Sequence, residues 1–457
     1  MNVYGIRFLV IGTGLSGYAT CEFLLSKGAK VILTDIKAKD QLNIDNFINK
    51  ENFKGIFGGQ PPLSILDEID YIIVSPGVSF DIPIIKKAHE RNIELLSEIE
   101  LSYRLSKGKI IAITGTNGKT TTTSMVGEIF KYGGKDSYVV GNIGLPMISK
   151  VDNSRDDTFF IVEVSSFQLE GIKEFHPDIS AILNITPDHL NRHKTMDNYI
   201  GQKSKVFVNQ GSDDITILNA DNPISLSFKE EVNSRVVLFS QMSTLEKGIF
   251  VENNNIVIIN EEGEKLEVCP VSNIKVLGGH NLENALAAVA ISYYAGISVE
   301  GIRKGISEFK GVEHRIERVA MISGIEFIND SKGTNPESSI KAIEAMEKPI
   351  ILIGGGMDKG SDFTEFVASF KDRVKYLILL GQTADVIENA ARKQGFTSIK
   401  KVDSIEDGVL FSFEIADKGD VVLLSPGCAS WDMYTSYEER GNIFKSIVKG
   451  LGRLGDA

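Results

Sequence analysis

Seven residues, Gly115-Thr116-Asn117-Gly118-Lys119-Thr120-Thr121, stand between the apolar run KIIAIT and a helical stretch from about Thr121 to Tyr132. A strand that turns through two glycines straight into a helix leaves consecutive backbone N–H groups and a helix N-terminus open at one point. That is a seat for phosphate. Lys119 adds a positive charge placed for the β and γ phosphates, and the Thr120 hydroxyl is placed for Mg²⁺. The general phosphate-loop pattern has glycine where this chain has Ile113, so the loop is a shorter form. It predicts ATP binding and demands a parallel α/β sheet around it.

The rest of the chain is written in the same idiom. At 457 residues it is too long for a single core. Residues 1–97 read as a first domain: the strand Arg7–Ile11, the turn GTGLSG, a helix around Tyr18–Ser26, and strands ending at Asp35 and Ser75. Residues 98–310 hold the phosphate loop, the buried strands FFIVEV and DISAILNI, then ITILNA. After these, GIFVENNNIVIINEEGEKLEV alternates apolar and polar residues around turns, predicting a small antiparallel sheet. Residues 311–457 carry the strands IEFIND, PIILIGG, YLILLG and DVVLLSPG with helices between. The fold class is α/β in three domains. The N-terminal and C-terminal domains are Rossmann-like, and the central one is P-loop ATPase-like with the antiparallel addition.

A net charge of −12 disfavours a nucleic-acid partner. No apolar run approaches membrane-spanning length and no leader pattern opens the chain, so a cytoplasmic protein with no membrane partner is expected. Cys21, Cys269 and Cys428 are far apart, with no Cys/His cluster to hold zinc, and fit buried thiols in a reducing compartment.

Other motifs follow strands, where an open α/β sheet presents its ligand crevice. Gly12, Gly14 and Gly17 form GxGxxG, with Asp35 closing the next strand. That pair suits the diphosphate and sugar of NAD or of a uridine diphosphate equally. Glu163 ends a buried strand and is a plausible Mg²⁺ ligand, and His189 ends another in LNITPDHL. Lys203 in YIGQKSKVF reads, by itself, as a solvated helix lysine. Asn281 and Asn284 in GGHNLENALAA could cap a helix. Arg315 in GVEHRIE could pair with phosphate. Asp330 to Asn335, residues 354–363 and residues 425–434 occupy further strand ends.

GTNGKTT, VEVSSFQLE, NITPDHL, GGHNLENALAA and HRIE occur in an order and at a spacing that resembles the Mur ligase family over essentially the whole chain. The endings NDSKGTNPES, GGGMDKGSDF and SPGCASWDMYTSYEERGNIF are similar to those of the branch that adds D-glutamate to UDP-N-acetylmuramoyl-L-alanine. The resemblance implies an ATP-dependent ligase of peptidoglycan precursor synthesis, working through an acyl phosphate. It implies ATP contacts from Gly115 to Thr121 and from Asn281, Arg315 and Asp330. Two Mg²⁺ ions would be served by Thr120, Glu163, His189 and Lys203, with Lys119, His189 and Lys203 catalytic and Lys203 carbamylated. The UDP substrate would meet Gly14, Leu15, Ser16, Asp35, Ser75, Asn142, Ser165 and Gln168. D-glutamate would meet Lys332, Thr334, Lys359, Ser430 and Tyr437. The resemblance implies small-molecule partners and a monomer.

Two residues depart from the family's usual pattern. Tyr437 stands where phenylalanine is common, adding a hydroxyl, and Lys37 where arginine is common, losing a bidentate fork. An NAD-dependent oxidoreductase would use Gly12 to Gly17 and Asp35, but it leaves GTNGKTT, Glu163 and His189 without a task.

Overall fold

Short runs rich in Ile, Val and Leu, buried on both faces, make the centres of three sheets, as expected for parallel strands covered by helices. The computed structural model describes residues 1–42, 47–142, 144–276, 278–357 and 360–455. Within them the chain divides into two compact units. One is residues 1–274 with 282–309, and the other is residues 275–281 with 310–457.

The first unit holds two sheets. Five parallel strands lie in the order Phe53–Gly58, Lys30–Asp35, Arg7–Ile11, Tyr71–Val74 and Glu94–Ser97. Chain order reverses between Arg7–Ile11 and Tyr71–Val74, which opens a crevice at their C-terminal ends. The second sheet places Lys109–Thr114 between Ile179–Ile182 and Phe159–Glu163, all parallel. Ser137–Gly141 forms one edge, and Ile215–Asn219 and Arg235–Ser240 extend the other side.

The antiparallel strands expected as a small sheet of their own are the continuation of this one. Phe239 pairs in parallel with Ile249, and Gly248–Glu252, Asn255–Ile259 and Lys265–Pro270 then run antiparallel to one another. Among its described residues the second unit has a six-stranded sheet, in the order Glu317–Ile322, Ile325–Asn329, Val421–Leu424, Ile350–Gly354, Val374–Leu379 and Ile399–Lys401. Its first pair is antiparallel and the others parallel. Among the described residues no helix is long and apolar enough to cross a membrane.

Two buried glutamates weld the sheets of the first unit. Glu100 is fully buried, and its carboxylate accepts the N–H groups of Lys173, Glu174 and Phe175 at 2.8–3.2 Å, besides pairing with Arg104 at 2.7 Å. Glu98, two residues earlier on the same helix (Glu98–Leu105), accepts the N–H of Ile148 at 2.7 Å and the Ser102 hydroxyl at 3.1 Å. Its Oε2 is buried without a hydrogen-bond partner among the described residues.

Burial pushes the Glu98 carboxyl from 4.5 up to about 7, against the opposing pull of its hydrogen bonds. The folded chain therefore holds a proton that the unfolded chain releases. The stability tied to Glu98 is complete below about pH 4.5 and declines as pH rises to about 7, by on the order of 3 kcal/mol at most. Glu98→Gln imitates the protonated form. Melting curves taken from pH 5 to pH 8 should show this variant gaining on the parent as pH rises. A constant difference across that range would remove Glu98 as the source.

Candidate active site

The phosphate loop closes by its own atoms. Gly115 and Gly118 have φ of +155° and +83°, which side-chain-bearing residues rarely adopt. A Cβ at Gly118 would lie 2.1 Å from Asn284 Oδ1. Thr116 Oγ1 donates to Thr186 O at 3.1 Å and accepts Thr186 N–H at 3.0 Å, leaving the Tyr199 hydroxyl to donate to it at 3.1 Å. Asn117 N–H donates to Asn184 Oδ1 at 2.9 Å. Lys119 reaches back to Gly115 O and Thr116 O, both at 2.9 Å, so its charge sits inside the curl of the loop. Gly118 has no side chain to cap helix Lys119–Tyr132, so its first N–H groups face the loop opening. Thr120 and Thr121 are buried in that first turn.

Glu163, the last residue of its strand, is 1% exposed. Its Oε1 accepts Asn142 Nδ2 at 2.8 Å, and its Oε2 is buried with no hydrogen-bond partner among the described residues. An unmet carboxylate oxygen out of water is costly unless a cation completes it. Among the described residues no three His, Cys, Asp or Glu side chains gather into a metal cage. A single dry carboxylate beside a phosphate loop fits Mg²⁺, which takes one or two carboxylates and fills its shell with phosphate oxygens and water.

His189 lies beyond the strand Ile179–Ile182, not at its end as the sequence suggested. It sits in a left-handed turn (φ +52°), half-exposed, with its ring 5.0 Å from Phe167 and Nε2 3.5 Å from Asp188.

Lys203 corrects the reading of its motif taken alone. It is 1% exposed rather than solvated, because helix Met196–Ser204 turns Tyr199 and Lys203 inward together. Its Nζ donates to Gly115 O at 2.7 Å and Thr114 Oγ1 at 3.4 Å, and lies 4.9 Å from the Tyr199 ring centre. Burial first, then the charge of Lys119, drive the Lys203 amine well below the usual lysine range, against the pull of Asp188 and Glu163. The structure thus brings Lys119, Glu163 and Lys203 into one electrostatic neighbourhood. Ser165 and Gln168 bind each other in a capping box at the start of the short helix Ser166–Leu169. Asn184 and Tyr199 also hold the loop and were not singled out from sequence, although Asn184 lies inside the motif that supplied His189.

At the N-terminal crevice a Cβ on Gly17 would stand 1.9 Å from Gly12 O, which explains the close packing of this turn. Gly14 and Leu15 are exposed on its rim, and Ser16 is half-buried. Ser75 Oγ donates to Gly12 O at 3.4 Å. Asp35 Oδ2 accepts the N–H and hydroxyl of Thr13, both at 2.7 Å, and Oδ1 accepts Lys37 N–H at 3.0 Å. Burial pushes the Asp35 carboxyl up, but these hydrogen bonds and the Lys37 charge outweigh it and hold it below the ordinary range. A cavity of about 430 Å³ adjoins, lined by Asp35, Ile36, Pro61, Leu63 and Val78 among others. It is large enough for a nucleoside base and sugar.

The second unit gathers the remaining residues. Asp330 is buried, and burial raises its carboxyl to about 7 although Ser425 Oγ donates to it at 2.6 Å and Arg315 lies near. Arg315 stands between two left-handed residues, His314 and Ile316. Asn281 is buried, its N–H bonded to Gly278 O. Lys332 Nζ is 5.8 Å from the Tyr437 ring centre, Thr334 N–H donates to Lys332 O, and Ser430 is buried. The Tyr437 hydroxyl hydrogen-bonds to Glu438. Lys359 lies outside the described residues.

Residues 6–97 match the Mur ligase MurD-like N-terminal domain, 113–292 the Mur ligase middle domain and 314–428 the Mur ligase glutamate ligase domain. The chain is 50% identical over 463 residues to the UDP-N-acetylmuramoylalanine–D-glutamate ligase of a Thermoanaerobacter species, covering 99% of this chain and 100% of that one. It is 47% identical over 455 residues to the enzyme of that name from Alkaliphilus metalliredigens, with the same coverage. Among solved structures it is similar to the UDP-N-acetylmuramate–alanine ligase of Thermotoga maritima. There the TM-score is 0.59 at 18% identity, over 97% of this chain and 99% of that one. The pseudomurein peptide ligase type C of Methanothermus fervidus gives 0.58 at 19%, over 98% and 100%. The structural likenesses carry the fold, and the full-length sequence identities carry the family: the chain belongs to the Mur ligase family.

Proposed function

We propose that the chain joins D-glutamate to UDP-N-acetylmuramoyl-L-alanine at the expense of ATP, in peptidoglycan precursor synthesis. The observation that carries the chemistry is the unmet Glu163 carboxylate oxygen in the neighbourhood of a phosphate loop that holds Lys119. The identity of the amino acid rests on the full-length relatives named for D-glutamate. Mur ligases use ATP, generally with Mg²⁺.

A carboxylate becomes a substrate for an amine only when one of its oxygens is made a leaving group. In the proposed sequence an oxygen of the alanyl carboxylate attacks the γ phosphorus, the bond to the β-bridging oxygen breaks, and ADP leaves. The resulting acyl phosphate takes the D-glutamate amine at its carbonyl carbon, then expels phosphate, and the amine proton passes to a base.

Two anions must meet first. Lys119 and the N–H groups of residues 115–121 hold the triphosphate against the repulsion. Mg²⁺ held by Thr120 and Glu163, with a second served by His189 and Lys203, would neutralise phosphate charge in both ground and transition states. Asn281, Arg315 and Asp330 take the nucleoside end of ATP in this reading. Gly14, Leu15, Ser16, Asp35 and Ser75 take the uridine diphosphate, while Asn142, Ser165 and Gln168 border the muramoyl part. Lys332, Thr334, Lys359, Ser430 and Tyr437 take D-glutamate. The reading assigns these tasks to domains at 1–97, 98–310 and 311–457 of a cytoplasmic monomer.

Lys203 is proposed to work as a carbamate. Its neutral amine, favoured by burial, would attack the carbon of CO₂, forming an N–C bond and releasing a proton to solvent. The product is an anion able to serve a metal where an ammonium would be repelled.

Three outcomes test the proposal. Phosphate release should require both UDP-N-acetylmuramoyl-L-alanine and D-glutamate. Equal turnover with L-glutamate or meso-diaminopimelate would refute the specificity. Lys119→Ala and Glu163→Gln should each lower turnover by about 10²-fold or more at saturating Mg²⁺, and near-parental rates in either would remove that residue from the site. Lys203→Ala should be nearly inactive and partly restored by short carboxylic acids, with Lys203→Arg inactive. Full activity of Lys203→Arg would rule out the carbamate.

A further inference from the structure

The Arg440 guanidinium is 2% exposed, in the first turn of helix Tyr437–Gly455, and among the described residues it makes five hydrogen bonds, all to uncharged oxygens. Nε donates to Ser331 Oγ at 3.0 Å and one terminal nitrogen to Ser331 O at 2.8 Å. The terminal nitrogens also reach Cys428 O, each at 3.2 Å, and Ala429 O at 3.3 Å. Ser331 Oγ in turn donates to Tyr437 O at 2.8 Å, tying the helix start to the same loop.

These acceptors are specific places in the chain. Ser331 O belongs to the peptide group whose nitrogen is that of Lys332, and Ala429 O to the one whose nitrogen is that of Ser430. Ala429 O also accepts Met357 N–H at 2.9 Å, which brings in the segment that follows strand Ile350–Gly354. One side chain therefore sets the peptide planes next to two of the residues assigned above to the amino acid, and reaches a third loop through a shared oxygen. Lysine has no planar fork and could not hold all these oxygens at once.

The charge matters as much as the geometry. Among the described residues no carboxylate lies within ion-pair distance of Arg440. Asp432 and Asp330 act on it only at longer range. A buried guanidinium met by carbonyl dipoles keeps its positive field, and that field falls on the two loops it holds.

We propose that Arg440 is a positioning residue for the incoming amino acid: it fixes the Ser331–Lys332 and Ala429–Ser430 peptides and supplies the positive potential that a dicarboxylate substrate compensates. The inference rests on the D-glutamate reading. It differs from a purely architectural staple, which would loosen the whole unit without singling out one substrate.

The test is steady-state kinetics of the full-length chain and its Arg440→Met and Arg440→Lys variants, varying ATP, UDP-N-acetylmuramoyl-L-alanine and D-glutamate in turn. Thermal melting is recorded beside each. Arg440→Met should raise the KM for D-glutamate by about tenfold or more while the other two KM values stay within about twofold, with Arg440→Lys in between. An unchanged KM for D-glutamate, or equal rises in all three, would overturn the proposal. If Arg440→Met does not fold, Arg440→Lys decides by the same criterion. The parent enzyme is assayed first against several amino acids. If it prefers another, the D-glutamate reading fails on that result alone, and the Arg440 comparison is made with the preferred amino acid.

Discussion

Taking an ionisable side chain out of water costs several kcal/mol unless its polar atoms are met again inside. The joints of this chain are made where backbone does the meeting. Glu100 sits in a nest of three N–H groups, Arg440 in a ring of carbonyl oxygens, and Lys203 against the carbonyl of Gly115. In each case a partner is backbone in or beside a connecting loop, so the charge dictates where that segment runs. A side-chain counter-ion would satisfy the charge and leave the loop free. Backbone partners satisfy it and fix the loop, and loops at strand ends are where a ligand must be gripped.

The phosphate loop shows how little of such a site is self-sufficient. Its conformation depends on Thr116 locking to Thr186, on Asn184 receiving Asn117, and on Asn284 filling the space that a side chain at position 118 would need. Two of these three partners lie in one stretch, Asn184 to Thr186, which leads on to Asp188 and His189. The candidate phosphate loop and the loop that carries His189 are one hydrogen-bonded object. Loosening either should disturb the other.

Sequence reasoning succeeded where burial pattern and local motif agree. Arg7–Ile11, Lys109–Thr114, Phe159–Glu163 and Ile350–Gly354 are apolar runs bounded by glycine or by a polar residue, and were legible as strands. Phe53–Gly58 was not, because Gly55 interrupts it and Gly58 ends it, and Glu94–Ser97 is only four residues long. Glu317–Ile322 was missed because its alternation is broken by a bulge between Arg318 and Ala320. The site divides in the same way. Gly115 to Thr121 announce themselves by spacing, whereas the burial of Lys203 depends on contacts with Thr114 and Gly115, some 90 residues away. Arg440 lies inside the motif SPGCASWDMYTSYEERGNIF, but its partners are 12 and 109 residues distant, so the motif gives no sign of what the guanidinium holds.

What joins the legible and the illegible parts is strand register. Ile113 pairs with Glu163 and Thr114 with Ile182, so the phosphate loop, the dry carboxylate and the segment leading to Asn184 all leave the central sheet at one level. Asn329 pairs with Leu424 in the other unit, which sets Asp330 beside Ser425 in the same manner. Side chains alternate along a strand, so a slip of one residue would turn Glu163 to the opposite face and move it by about 3.3 Å along the sheet. No rotamer change could recover that. The apolar residues of these strands, Ile111, Ile113, Ile161 and Leu423, touch no ligand in the proposed scheme, yet they are buried on sheets whose register decides whether the polar residues after them converge. Packing in the core and chemistry at the edge are therefore a single requirement on the sequence, met at the last residue of each strand.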